Sequence, residues 1–230
     1  LNLPIPLGGT SNHFRTDFLR NIGGWDPFNV TEDADLGIRI HSLGGKVGMA
    51  YSTTYEEANC KVGNWLLQRS RWIKGYMQTY LVHMRNPLKL IKNLGWSGFI
   101  SFQFLIGGTI FSALANLFLW IVFIATWLLP AHYTHSLFTL SLLHIAWFNF
   151  ITGNVLLVGV HLIAACRRRL YTLALSAFLL PAYWILMSIA SYISLYELIV
   201  RPSYWHKTTH GISKYIPEVT DDIVNTSTSK

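Results

Sequence analysis

The sequence predicts an α/β part of mixed polarity, residues 1–92, followed by an α-helical transmembrane region. Three observations carry that prediction. Hydrophobic residues make up 51% of the 230 and charged residues only 13%, about half the charged share usual in globular domains. The charge is also segregated. No Asp, Glu, Lys or Arg occurs in the 74 residues from Asn93 to Cys166, nor between Tyr171 and Tyr196. Such runs exceed the roughly 20 residues a helix needs to cross a bilayer. Residues 1–92, by contrast, hold 11 Lys/Arg and 7 Asp/Glu among glycine-pair turn signals. This distribution argues against a wholly soluble domain, a disordered tail and a simple nucleic-acid binder, despite a net charge of +7 and a pI of about 9.5. The two cysteines, Cys60 and Cys166, fall one in each part and suggest neither a disulfide framework nor a metal site.

The chain opens at Leu1 in loop-like sequence with no basic region ahead of a short apolar core. It reads as a piece of a longer protein without a signal peptide. Residues 15–22 read as a short helix closed by Gly23. Thr31 stands where a cap belongs for a helix running to Gly44, with Leu36, Ile40 and Leu43 on one face. Residues 46–51 suit a short strand, and 65–84 a longer helix. A boundary falls near Asn86-Pro87. Residues 88–94 then alternate apolar side chains with Lys89 and Lys92, the pattern of a basic amphipathic segment on a membrane surface.

From Gly95 to Leu129 the apolar stretch is too long for one straight span, and Gly107-Gly108 divides it. Spans are expected at residues 109–129 and 139–165. The cluster Arg167-Arg168-Arg169 stops the second and places its end in the cytoplasm by the positive-inside rule. Residues 171–200 are long enough for a third span, but Pro181 and Glu197 favour a segment lying in the interface. A tail, 201–230, follows on the cytoplasmic side.

Two short segments carry chemistry. Thr31-Glu32-Asp33, with Asp35 beyond, puts three carboxylates in four positions at a helix start. They repel unless a cation, a metal or a proton intervenes, and one held beside a bound hydroxyl serves as a general base. Read in isolation the group is also an ordinary acidic first turn. The second segment is Gln68-Arg69-Ser70-Arg71-Trp72. On a helix, Gln68, Arg71 and Trp72 share one face. An amide, a phosphate-binding guanidinium and an indole plate suited to a sugar ring then stand together. Read in isolation it is a basic helix with a packed tryptophan. His144 and His161, inside a span, read as satisfied packing residues.

Taken together, the segments resemble the acceptor-side signatures of processive, cellulose-synthase-like family 2 glycosyltransferases. In that family a Thr-Glu-Asp triplet precedes Gln-x-x-Arg-Trp, and membrane helices follow at once. Here Gln68 stands 35 positions after Asp33, and the uncharged run begins about 20 residues beyond Trp72. The resemblance implies that residues 1–92 are the C-terminal part of a GT-A-type α/β domain. It implies a membrane-bound inverting enzyme extending a β-linked polysaccharide from a UDP- or GDP-sugar, sited in a bacterial inner membrane with its catalytic part cytoplasmic. Asp33 matches the general base. Thr31, Glu32, Gln68, Arg71 and Trp72 match residues around acceptor and donor, with Trp72 stacking under the acceptor sugar. A weaker likeness to a gating loop picks out Trp205, Lys207, Thr208 and His210. The Mg²⁺ or Mn²⁺ of the family is expected on an Asp-x-Asp motif ahead of Leu1, so no metal ligand is assigned in this chain. The isolated piece is expected to be inactive. The alternatives are a non-catalytic transporter subunit or scaffold with a degenerate transferase domain, and a non-processive enzyme acting on a lipid carrier.

Overall fold

The computed structural model describes residues 3–50, 52–54, 56–130 and 139–204. The polar part contributes α1 (Thr16–Asn21), α2 (Glu32–Ser42) and α3 (Val62–His83). Next come α4 (Pro87–Phe102), interrupted at Gly95 by a non-helical backbone (φ 69°, ψ 170°), a π-helical turn (Gln103–Gly107) and α5 (Gly108–Leu128). After α6 (Leu140–Arg167), α7 (Tyr171–Ala174) passes through a 3₁₀ turn (Leu175–Leu179) into α8 (Leu180–Val200).

The α/β expectation is overturned: among the described residues there is no strand. Residues 46–50 leave α2 without pairing, and all but the half-buried Val47 are exposed. A strand persists only when its backbone N–H and C=O groups find a ladder and one face finds a core. No extended segment lies alongside to supply either. Helices build the described polar part.

The helix limits follow from local chemistry. Gly44, at φ 79°, ends α2. Gly45 N–H reaches Ile40 O and Gly44 N–H reaches His41 O, the bonding pattern of a Schellman turn. Leu43 falls at the cap and is exposed, so it leaves the apolar face that Leu36 and Ile40 keep buried. Asn86 caps α4 by accepting from Lys89 N–H at 3.0 Å, with Pro87 in the first turn, where its missing N–H costs nothing. Gly107 and Gly108 keep helical backbone angles at the end of the π-turn, whose Gln103 Oε1 accepts from the Tyr80 hydroxyl at 2.9 Å; the non-helical kink of this run falls at Gly95 instead.

Helix α3 runs between two apolar clusters. On one side Ile38, Leu90, Leu94, Phe102 and Ile106 are buried, with Tyr76 and Tyr80 of α3 against them. On the other, Ile73 and Met77 meet Met187 and Ala190 of α8. Each large apolar side chain so buried contributes roughly 1.5–3 kcal/mol, and the two clusters fix α2, α4 and α8 around one helix. Helix α6 has no buried residue and meets α5 through aromatic rings, Trp120 against Phe150 at 4.8 Å and Trp127 against Trp147 at 5.4 Å. His161 returns its Nδ1 to Leu157 O of the same helix at 2.9 Å.

Among the described residues, three helical runs are long and apolar enough to cross a membrane: Pro87–Leu128, Leu140–Arg167 and Tyr171–Val200. Pro181 sits in the first turn of α8, where it does not break the helix. Glu197 is buried against the polar part.

The extended residues Ile5–Leu7 cross α2 directly above Gly37. A methyl group there would collide with Ile5 O and come within 3.1 Å of Leu7 N. Both obstacles are backbone and cannot rotate away. Gly37→Ala is expected to cost about 1–3 kcal/mol, read as a lower Tm of the detergent-solubilised protein. Gly48→Ala, facing open space, should leave Tm nearly unchanged.

Candidate functional site

The acidic segment is seated on α3 by a row of short-range contacts. Asn29 Nδ2 donates to Thr79 Oγ1 at 2.8 Å, and Val30 N–H points to Gln78 Oε1 at 3.4 Å. Thr31, only 6% exposed, lies against Gly75 so closely that a Cβ there would stand 2.5 Å from Thr31 Cγ2 and 2.7 Å from its backbone N. The side-chain capping bond expected of Thr31 is not formed, and its buried Oγ1 has no hydrogen-bond partner. Its role is contact with the helix.

This seating gives the three carboxylates different fates. Asp35 is buried and spoken for. Arg39 Nε donates to it at 2.7 Å and His83 Nε2 lies 2.8 Å away. Arg39 also reaches Ile22 O and Gly24 O, which ties the end of α1 to α2. Burial pushes the Asp35 pKa up, but the hydrogen bonds and charges of His83 and Arg39 outweigh it and leave a net lowering. Glu32 is exposed. Asp33 is half-buried; its Oδ1 accepts from Ala34 N–H at 2.8 Å and its Oδ2 lies beside Gly9. Burial raises the Tyr76 pKa, and the charge of Asp33 raises it further.

The second motif occupies α3 directly upstream. Trp72 is one helical turn before Tyr76, so both lie on the face that Asp33 approaches. Trp72 is 39% exposed, and the Arg69 guanidinium stacks on its ring at 4.3 Å. Gln68 and Arg71 are half-buried and, among the described residues, form no hydrogen bond or ion pair. The structure therefore gathers Thr31, Asp33 and Trp72 around one stretch of α3, with Arg71 beside them and unengaged. Trp205, Lys207, Thr208 and His210 lie outside the described residues.

Sequence reasoning missed Arg69, Gly75, Tyr76, Lys74 and Gln78 as parts of this arrangement. One signal was available. A glycine in a helix interior, as Gly75 is, costs about 1 kcal/mol against Ala and often marks a close approach. The described residues do not fit a divalent-cation site. No three His, Cys, Asp or Glu side chains converge, because Asp35 is committed to Arg39 and His83 while Glu32 and Asp33 point elsewhere.

An interior helix thus seats an acidic turn and bears an exposed indole, ahead of three apolar runs long enough to cross a membrane. The chain matches the description "Glycosyl transferase family group 2" over residues 2–206, and it belongs to that family. It is 24% identical over 212 residues to the probable glycosyltransferase YdaM of Bacillus subtilis, covering 88% of this chain and 48% of that protein. It is 32% identical over 106 residues to the beta-monoglucosyldiacylglycerol synthase of Synechocystis sp., covering 44% of this chain and 22% of that protein. The chain thus spans about half or less of the length of these relatives. No solved structure matches it.

Two measurements check the geometry. Gly75→Ala should push Thr31 off α3, costing about 1–3 kcal/mol and displacing Asp33, so Tm and sugar transfer should fall together. Asp35 should govern acid stability. Its folded pKa lies below the ordinary 3.8, so its stabilisation is complete above 3.8 and is lost as pH falls through the folded value. Asp35→Asn should be less stable at pH 7 by roughly 3 kcal/mol and should lose less on further acidification. Thermal unfolding between pH 7 and pH 3 reads both.

Proposed function

We propose that this chain forms the acceptor side of a membrane-bound inverting glycosyltransferase. The observation that carries the reading is the seating of Thr31 on Gly75, which brings the turn carrying Asp33 onto α3, the helix that bears Trp72. Asp33 takes the proton from an acceptor hydroxyl. The hydroxyl oxygen bonds to the anomeric carbon of a nucleotide sugar as the bond to the diphosphate breaks, and the nucleoside diphosphate leaves. Attack opposite the leaving group inverts the configuration. Arg71, a guanidinium with no partner among the described residues, meets the charge on the leaving diphosphate. Trp72 stacks under the acceptor sugar, and Gln68 and Glu32 border it. Seating the helix that carries the base on the helix that bears the acceptor plate supplies orientation, worth several kcal/mol of the barrier. The Mg²⁺ or Mn²⁺ expected on the donor is left to ligands outside the described residues. The enzyme sits in a bacterial inner membrane with its catalytic part facing the cytoplasm, a reading supported by the three apolar runs and the Arg167-Arg168-Arg169 cluster.

The acceptor favoured by the Gln-x-x-Arg-Trp pattern is a growing β-linked polysaccharide. A second reading, one sugar added to a lipid, draws on the printed name of the Synechocystis relative. Product length from a radiolabelled nucleotide sugar separates them, since a polymer ladder supports the first and a single organic-soluble product the second.

In the full-length protein in membranes, assayed across a panel of nucleotide sugars, Asp33→Asn should lower transfer by about 10²–10⁴-fold while donor binding persists. Transfer near the unmutated rate would remove Asp33 from the role of base.

A further inference from the structure

Lys74 is fully buried although it carries a charge. Its ammonium donates to Arg201 O at 2.7 Å and to Tyr204 O. Those carbonyls belong to the turn that follows α8, which is closed by Tyr204 N–H to Arg201 O at 3.1 Å. One helical turn further along α3, Gln78 Nε2 donates to Pro202 O at 3.1 Å. The other end of that amide, Oε1, faces Val30 N–H, two residues before Glu32. Gln78 therefore bridges the acidic segment and the turn after α8. Nearer the start of α3, Ser194 Oγ of α8 donates to Ser70 O at 2.7 Å. Contacts spanning more than 120 positions of sequence converge on one helix.

Stability alone does not call for this design. Burying a cation costs several kcal/mol before its bonds compensate, and an apolar side chain of the same volume is often as stabilising. What two carbonyl acceptors and an ammonium supply, and methionine would not, is a defined register between α3 and the end of α8. Burial lowers the Lys74 pKa, and the neighbouring Glu197 carboxylate offsets part of that lowering.

We propose that Lys74 and Gln78 are positioning residues that lock the Arg201–Tyr204 turn onto α3, and through Gln78 hold that turn in register with the acidic segment carrying Asp33. The proposal rests on the functional reading above for its catalytic consequence, but the lock itself is a property of the fold. Neither residue touches substrate. They fix the third apolar run relative to the base, and transfer is sensitive to displacement of about 1 Å, which costs on the order of 10²-fold.

The test uses the full-length protein in detergent, with its native cysteines, Cys60 and Cys166 among them, replaced by serine. A nitroxide is placed at the exposed Ser203 by Ser203→Cys. Lys74→Met and Gln78→Ala are compared with the parent. Gln78→Ala removes the bridge without stripping partners from a buried charge, so it remains informative where Lys74→Met fails to fold. The expected result is a mobile nitroxide in both variants. Transfer per donor-binding site should fall about tenfold or more, with donor KM changed less than about twofold. Counting donor-binding sites removes misfolded protein from the comparison. An immobile label in both variants overturns the lock. A mobile label with parental transfer overturns the positioning role. Absence of transfer by the parent sinks the functional reading, and the label spectrum then decides the lock by itself.

Discussion

A hydrogen atom where any other residue would carry a side chain, at Gly75 in the interior of α3, lets the rest of the arrangement exist. Thr31 fills the space that a Cβ would take. Because Thr31 opens α2, its position sets where the first turn of that helix points. The contacts from Asn29 and Val30 to Thr79 and Gln78 extend the seat along α3, and the Asp35–Arg39–His83 cluster fixes the far side. Each bond contributes only about 1 kcal/mol net. Their combined effect is directional: the turn that carries Asp33 is held on α3, the helix that bears Trp72.

The same helix joins the polar part to the apolar runs. Its Tyr76 and Tyr80 pack on the cluster that includes α4 and the π-turn, while Ile73 and Met77 pack on α8. Two polar contacts, from Lys74 and Ser194, pin α8 to it. A site built on a helix clamped from both sides is held more closely than one built on loops. That matters for a reaction in which one hydroxyl must meet one carbon. The exposed apolar faces of α5 and α6 are what a lipid surround would cover.

Much of this was legible in the residues because the signals were local. Spacing of Leu36 and Ile40 marked α2, and the charge-free runs marked the helices long enough to cross a membrane. The ordered pair Thr31-Glu32-Asp33 and Gln68 to Trp72 marked the family. Residues 46–50 misled because β propensity there has no ladder partner among the described residues, a tertiary condition that single-strand patterns do not encode. Thr31 looked like a cap, yet its side chain packs on Gly75, and the choice between those fates depends on α3, more than 40 positions away. Lys74, just beyond the Gln68–Trp72 motif, carries no sequence mark of its own. Its burial depends on carbonyls beyond position 200, and nothing near it in sequence announces them. Asp35 stood beside the assigned base as a possible partner, and only the positions of Arg39 and His83 remove it from the chemistry.

The central claim is that Asp33 and Trp72 serve the same acceptor because α3 holds both. The most direct measurement is a structure of the full-length protein with a nucleoside diphosphate and an acceptor saccharide bound. The account predicts the terminal sugar ring stacked on Trp72, with one of its hydroxyl oxygens about 2.6–3.2 Å from the Asp33 carboxylate. An acceptor bound away from Trp72, or one whose nearest carboxylate is another residue, would contradict it.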